Sequence, residues 1–154
     1  MGFFRKRTTA TPVEDFEQPV YSELSVDHRA FLAGHIKLAD QAEVNLEDPA
    51  SVAGFYELVY ATWQSSPEGT HAELQEPYRN AAGVAYGELL ARTTPLRWVI
   101  AEDSLGRELA LHAEQNNTLV YPLNAVEKRW LRGEDGDFIP VLASAVYKQL
   151  GRLS

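Results

Sequence analysis

There is no cysteine among the 154 residues of the chain, which excludes disulfide bonds, thiolate nucleophiles and cysteine-held metals in one step. An uninterrupted apolar run of about 18 residues, the length a membrane-spanning helix needs, is also missing. A secretory leader pattern is lacking too, because Phe3 and Phe4 are followed at once by Arg5-Lys6-Arg7 instead of an apolar core. The expected setting is therefore the cytoplasm. None of the motifs G-x-x-x-x-G-K-[ST], G-x-G-x-x-G and G-x-S-x-G occurs, so neither a phosphate cradle nor a nucleophile elbow is marked. Basic charge is scarce, with 14 Lys and Arg against 22 Asp and Glu for a net charge of −8. Residues 13–94 carry four basic and fourteen acidic groups. Such a surface repels phosphate backbones, and a nucleic-acid partner is not expected.

What remains is an ordinary globular composition, 45% apolar and 23% charged, long enough for one domain that buries roughly two thirds of its unfolded surface. The most regular stretch runs from Leu96 to Glu134. Leu96, Trp98 and Ile100 alternate with Arg97, Val99 and Ala101, the period of a strand. Asp103-Ser104-Leu105-Gly106 supplies a turn. Leu109, Leu111 and Ala113 alternate with Glu108, Ala110 and His112 in a second strand. Placing Glu102 opposite Arg107 sets Trp98 against Leu111 and Arg97 against His112, which gathers the apolar residues on one face. Glu114 to Asn117 form a further turn, and Thr118 to Tyr121 a third strand that Pro122 ends. Asn124 with Glu127 three residues on reads as a capping box for a short helix, with Val126 and Trp130 inward and Gly133 as its stop.

Helices flank this meander. Ser25 caps one running to about Ala42, with Phe31, Leu32, Ile36 and Ala39 inward. Asp48-Pro49 opens a second, with Val52, Phe55, Tyr56, Val59 and Trp63 inward. Thr70 and Glu73 form another capping-box pattern, and Pro77 is expected to kink the following helix or split it in two. From Tyr78 to Leu90 the side chains are unusually small, which suits a helix laid closely across the sheet. Asp137 caps a last helix, with Ile139, Leu142, Val146 and Leu150 inward and Gly151 at its end. The expectation is an α+β fold, a three-stranded antiparallel meander packed against about five helices. Residues 25–154 make the single domain, and residues 1–24 a flexible basic tail and linker. That tail, two aromatics beside three cations, is also weighed as a weak peripheral membrane contact.

The segment GVAYGELL, then LRWVIAED, a glycine turn, RELAL and PLNAVEKRWLRGE resembles an uncharacterised bacterial domain-of-unknown-function family, the one numbered 3806. The likeness covers roughly residues 78–134, and its marks are Gly87, Trp98, Gly106, Pro122, Lys128 and Arg129. It implies a fold and a bacterial origin, and it carries no activity, catalytic residue or cofactor with it.

Chemistry is sparse. His28 and His35 are seven residues apart, about 10.5 Å along a helix, too far to hold one ion. His71 is expected in a solvated first helical turn. Glu134-Asp135-Gly136-Asp137 falls short of a calcium loop and suits a helix N-terminus. No metal or cofactor is expected. Arg97 and His112, adjacent across the hairpin, are one candidate binding pair, and Lys128 and Arg129 in a basic helix end are another. Two functions follow. One is a non-enzymatic interaction or accessory protein with a protein partner. The other is a small-ligand protein or metal-independent enzyme with its site near Arg97 and His112.

Overall fold

The computed structural model describes residues 18–151. In chain order the elements are β1 (Val20–Ser22), α1 (Val26–Gln41), α2 (Pro49–Gln64), α3 (His71–Thr93), β2 (Arg97–Asp103), β3 (Gly106–Ala113), a 3-10 turn at Gln115–Asn117, β4 (Thr118–Val120), α4 (Pro122–Leu131) and α5 (Phe138–Gln149). The strands form one antiparallel sheet in the order β1-β2-β3-β4. The α+β class and the five helices agree with the sequence reading, whereas the strand count is corrected from three to four. The added strand is β1, which pairs Val20 with Glu102, Tyr21 with Ala101 and Ser22 with Ile100. Three residues carry no readable alternation, and the partner strand lies far along the chain. The remainder of the expected tail, residues 1–17, lies outside the described residues.

The β2–β3 hairpin has the register that the alternation requires. Arg97 lies opposite His112, Trp98 opposite Leu111 and Glu102 opposite Arg107. Asp103 Oδ1 accepts from the Leu105 N–H at 2.8 Å, and Gly106 takes φ 122° to close the turn. At the other end Leu111 pairs with Val120 and His112 with Leu119. The connection there has Asn116 and Asn117 at φ 54° and 44°, the left-handed region that asparagine tolerates. Their side chains hold it down, since Asn116 Nδ2 donates to the Gln149 carbonyl at 2.5 Å.

All five helices pack on the inner face of the sheet or on one another. Ile100 and Leu109 meet Leu32 of α1, Val84 of α3 and Leu123 of α4, all buried. Leu96 and Leu111 join the main core with α2, α3, α4 and α5. Helix α3 is buried almost all round from Arg79 to Leu90, which is why its residues are small. A β-carbon on Gly83 would stand 3.0 Å from Leu123 Cα, and one on Gly87 only 2.3 Å from the Trp98 ring. Trp98 itself is half-buried rather than a fully enclosed core residue. Pro77 does not split α3, which runs as one helix through it.

Three helix starts differ from the motif reading. Ser25 Oγ accepts from the His28 N–H at 3.1 Å and Asp48 Oδ1 from the Ala50 N–H at 3.0 Å, as caps should. Thr70 and Asp137 occupy cap positions without making a side-chain cap bond. Asn124 is no cap at all, because α4 begins two residues earlier with Pro122 in its first turn. A proline that ends a strand equally suits a helix start, its fixed φ and missing donor costing nothing there.

Tyr56, Tyr60, Trp63, Trp130 and Phe138 pack edge to face where α2, α4 and α5 meet. The Tyr56 hydroxyl donates to the Glu134 carbonyl at 2.8 Å. Burial pushes the phenols of Tyr56 and Tyr86 far above their ordinary value of 10.0. A raised native pKa stabilises the fold fully below pH 10 and progressively less above it, because only the unfolded chain ionises there. Stability should therefore fall as the pH rises from 9 to 11 on account of these two groups. Urea midpoints at the two pH values measure it, and Tyr56→Phe should remove about half of that pH dependence. A pH-independent midpoint in the wild type would contradict the burial.

Candidate functional site

The strands place a distinct set of side chains on the outer face, away from the helices. Val99, Ala101 and Ala110 are buried there, with Tyr21, Leu119 and Tyr121 packed on them. Period two puts Arg97, Glu108 and His112 on the same face. Small residues at 101 and 110 let the Tyr21 ring lie across the sheet. It stacks on His112 with centroids 4.0 Å apart and planes 24° from parallel, and burial raises its phenol pKa. His112 Nε2 is 3.2 Å from Asn117 Oδ1. Asn117 Nδ2 in turn donates to Gln18 Oε1 at 3.4 Å, so Oδ1 is the acceptor and His112 carries its proton on Nε2.

The four residues expected to bind something fall into two groups. Arg97 and His112 are brought together as Cα partners, Arg97 exposed and His112 half-buried. Lys128 and Arg129 sit on α4, which packs with the inner-face core through Leu123, Val126 and Trp130. Arg129 is committed locally. Its Nη1 donates to the Ala125 carbonyl at 3.3 Å, and its guanidinium lies 5.8 Å from the centre of the Phe138 ring. The two groups do not converge.

The remaining histidines serve the helices. His35 Nδ1 bonds the Phe31 carbonyl at 2.7 Å. His71 is not the solvated residue expected: it is half-buried, stacked on Trp63 at 4.3 Å and bonded to Ser66 Oγ at 3.1 Å. Among the described residues, Glu57, Asp135 and Asp137 bring carboxylate oxygens within 4.8 Å of one another. Two of these already bond backbone, Glu57 to the Gly136 N–H at 2.9 Å and Asp135 to the Asp137 N–H at 3.0 Å. They read as the clasp between α2 and the loop before α5.

Sequence reasoning missed one charged pair. Arg79 of α3 and Glu127 of α4 lie 3.5 Å apart with side chains only 10% and 17% exposed, next to buried Asn80 and Asn124. Nothing in a helical period tells which charged residue turns inward when a helix is covered on every side.

Open hollows indent the surface of the described residues. One of about 530 Å³ is lined by Ala61, Thr62, Ser65, Ser66, Pro67, Leu74 and Tyr78. Another of about 440 Å³ is lined by residues of α5 around Pro140 and Lys148. Neither includes Arg97, His112, Lys128 or Arg129. Among the described residues no helix is long and apolar enough to cross a membrane.

A small helical shell on an antiparallel sheet, with a closely packed glycine-bearing helix, defines an α+β domain. The chain belongs to the family described as Domain of unknown function (DUF3806), whose model matches residues 63–141, a span from the end of α2 to the start of α5. No curated protein and no solved structure gives a significant match.

Proposed function

We propose that this chain is a non-enzymatic interaction or accessory protein of the bacterial cytoplasm, which engages a protein partner through the Arg97–His112 end of the outer sheet face. The observation that supports this reading is the combination on that face. An exposed guanidinium stands beside a histidine–tyrosine stack, over an apolar sheet surface that no helix of the described residues covers. Aromatic rings and arginine are the side chains that anchor protein interfaces. A small-ligand or enzymatic site asks instead for polar groups converging in a concavity.

Arg97→Ala and His112→Ala separate the two readings. Both variants are expected to fold, Arg97→Ala within about 0.5 kcal/mol of the wild type as an exposed substitution. Both should lower partner capture from the native host, while a metabolite panel leaves the melting temperature of the wild type unchanged. A metabolite that stabilises the wild type and neither variant would establish the ligand site instead. If His112→Ala unfolds the chain, the histidine is structural and both readings fall.

A further inference from the structure

We infer that the seam between α3 and α4 is a binding site for one enclosed water molecule, held by Asn80, Asn124 and Glu127. The first observation is a complementary pair of orphaned atoms. Asn80 and Asn124 are only 7% and 6% exposed. Neither Asn80 Oδ1 nor Asn124 Nδ2 has a hydrogen-bond partner among the described residues. The first is an acceptor and the second a donor. Buried amide ends are normally bonded, and where protein supplies no partner an ordered water does.

The second observation is placement. A β-carbon on Gly87 would stand 2.9 Å from Pro122 Cγ and one on Gly83 3.0 Å from Leu123 Cα, while Arg79 Nη2 lies 3.5 Å from Glu127 Oε2. These contacts descend α3 as they ascend α4, so the two helices are antiparallel. With Gly83 level with Leu123, a rise of about 1.5 Å per residue sets Asn80 and Asn124 roughly 3 Å apart along the axes. The helical turn carries both to the same flank of the seam, because opposed axes reverse the sense of rotation on one of them. Glu127 stands one turn beyond Asn124 on α4.

Chemistry selects the occupant. A donor and an acceptor that share a level and a flank, yet do not bond each other, are separated by a gap. The backbones approach too closely at Gly83 for a large molecule to enter there. Arg79 and Glu127 beside the amides already pair, which leaves no net charge to attract an ion. Water fits each requirement. It donates to Asn80 Oδ1 and to the Glu127 carboxylate and accepts from Asn124 Nδ2, three bonds in all, as buried waters usually make. Bridging side chains of both helices, it pins the register of α4 on α3. The site belongs to the helical layer and stands whether or not the outer sheet face docks a partner.

A crystal structure of the full chain that resolves ordered solvent tests this directly. One peak with the scattering of water should lie within hydrogen-bond distance of both Asn80 Oδ1 and Asn124 Nδ2. A direct bond between the two amides, an ion or organic molecule in that place, or a dry gap overturns the inference. Solution spectra give an independent reading. The Asn124 side-chain amide protons should show a rotating-frame cross-peak to water with the sign of dipolar contact, and a laboratory-frame cross-peak with the sign of a long-lived water. Cross-peaks with the sign of chemical exchange would mean an amide open to bulk solvent, and no cross-peak would mean a dry seam. Either result overturns the inference. In Asn80→Leu the dipolar cross-peak should weaken several-fold, and an unchanged cross-peak in that folded variant overturns the bridge. If Asn80→Leu does not fold, the wild-type peak and cross-peak still decide the question.

Discussion

Trp98→Ala is expected to cost about 3 kcal/mol and to lower the melting temperature by roughly 6–12 °C. Deleting a buried tryptophan spans about 3–5 kcal/mol, and the low end applies because Trp98 is half-buried. The loss has two parts. The Nε1–Glu88 hydrogen bond at 3.1 Å disappears, and the ring no longer fills the notch that Gly87 leaves in α3. That notch is tight: a β-carbon on Gly87 would meet Trp98 Cη2 at 2.3 Å, Cζ2 at 2.5 Å and Pro122 Cγ at 2.9 Å. Gly87→Ala should therefore destabilise the wild type by about 1–3 kcal/mol, even though alanine is the better helix former by about 1 kcal/mol. The sign is expected to change in the Trp98→Ala background, where the ring clash is gone and Gly87→Ala becomes neutral or stabilising. A double-mutant cycle measured by urea unfolding reads this coupling. Additive effects would mean that the ring and the glycine do not constrain each other.

The same contact shows what a sequence discloses. Gly87 and Trp98 stand in one short span, and the small-sided pattern from Tyr78 to Leu90 announced close packing against the sheet. The β2–β3 register was equally legible, because only one slip gathers Trp98, Ile100, Leu109 and Leu111 on a single face. The register of β4 was not, since Leu119 and Val120 are apolar on opposite faces and the sheet buries apolar groups on both. Strand β1 escaped notice because its specificity resides in Tyr21 meeting His112, a contact between residues far apart in the chain. Helix starts were misread where a capping motif competed with a proline: Asn124 and Glu127 have the right spacing, yet Pro122 already sets the first helical φ. Of the candidate site, the adjacency of Arg97 and His112 followed from the hairpin. Its aromatic partner and the Asn117–Gln18 bridge did not, as they depend on tertiary path. The three residues that most define the face therefore come from β1, β2 and β3.

Glu127→Gln is expected to cost about 3 kcal/mol while keeping the shape of the side chain. Glu127 and Arg79 join α4 to α3 at 3.5 Å with little exposure on either partner. Removing the carboxylate charge takes away the Glu127 half of a buried ion pair, and breaking such a pair costs about 3–5 kcal/mol in interiors. The separation and the 17% exposure of Glu127 favour the low end. Replacing both members together, Arg79→Met with Glu127→Leu, should restore most of the stability, because an apolar pair of similar volume avoids the desolvation of two charges. The single variant must then be clearly less stable than the double one. Urea midpoints at constant m-value provide the measurement. A single-variant cost below about 1 kcal/mol would class the pair with solvated surface bridges and would place the α3–α4 seam in contact with water. A double variant no better than the single would show that the polar pair itself holds the two helices together.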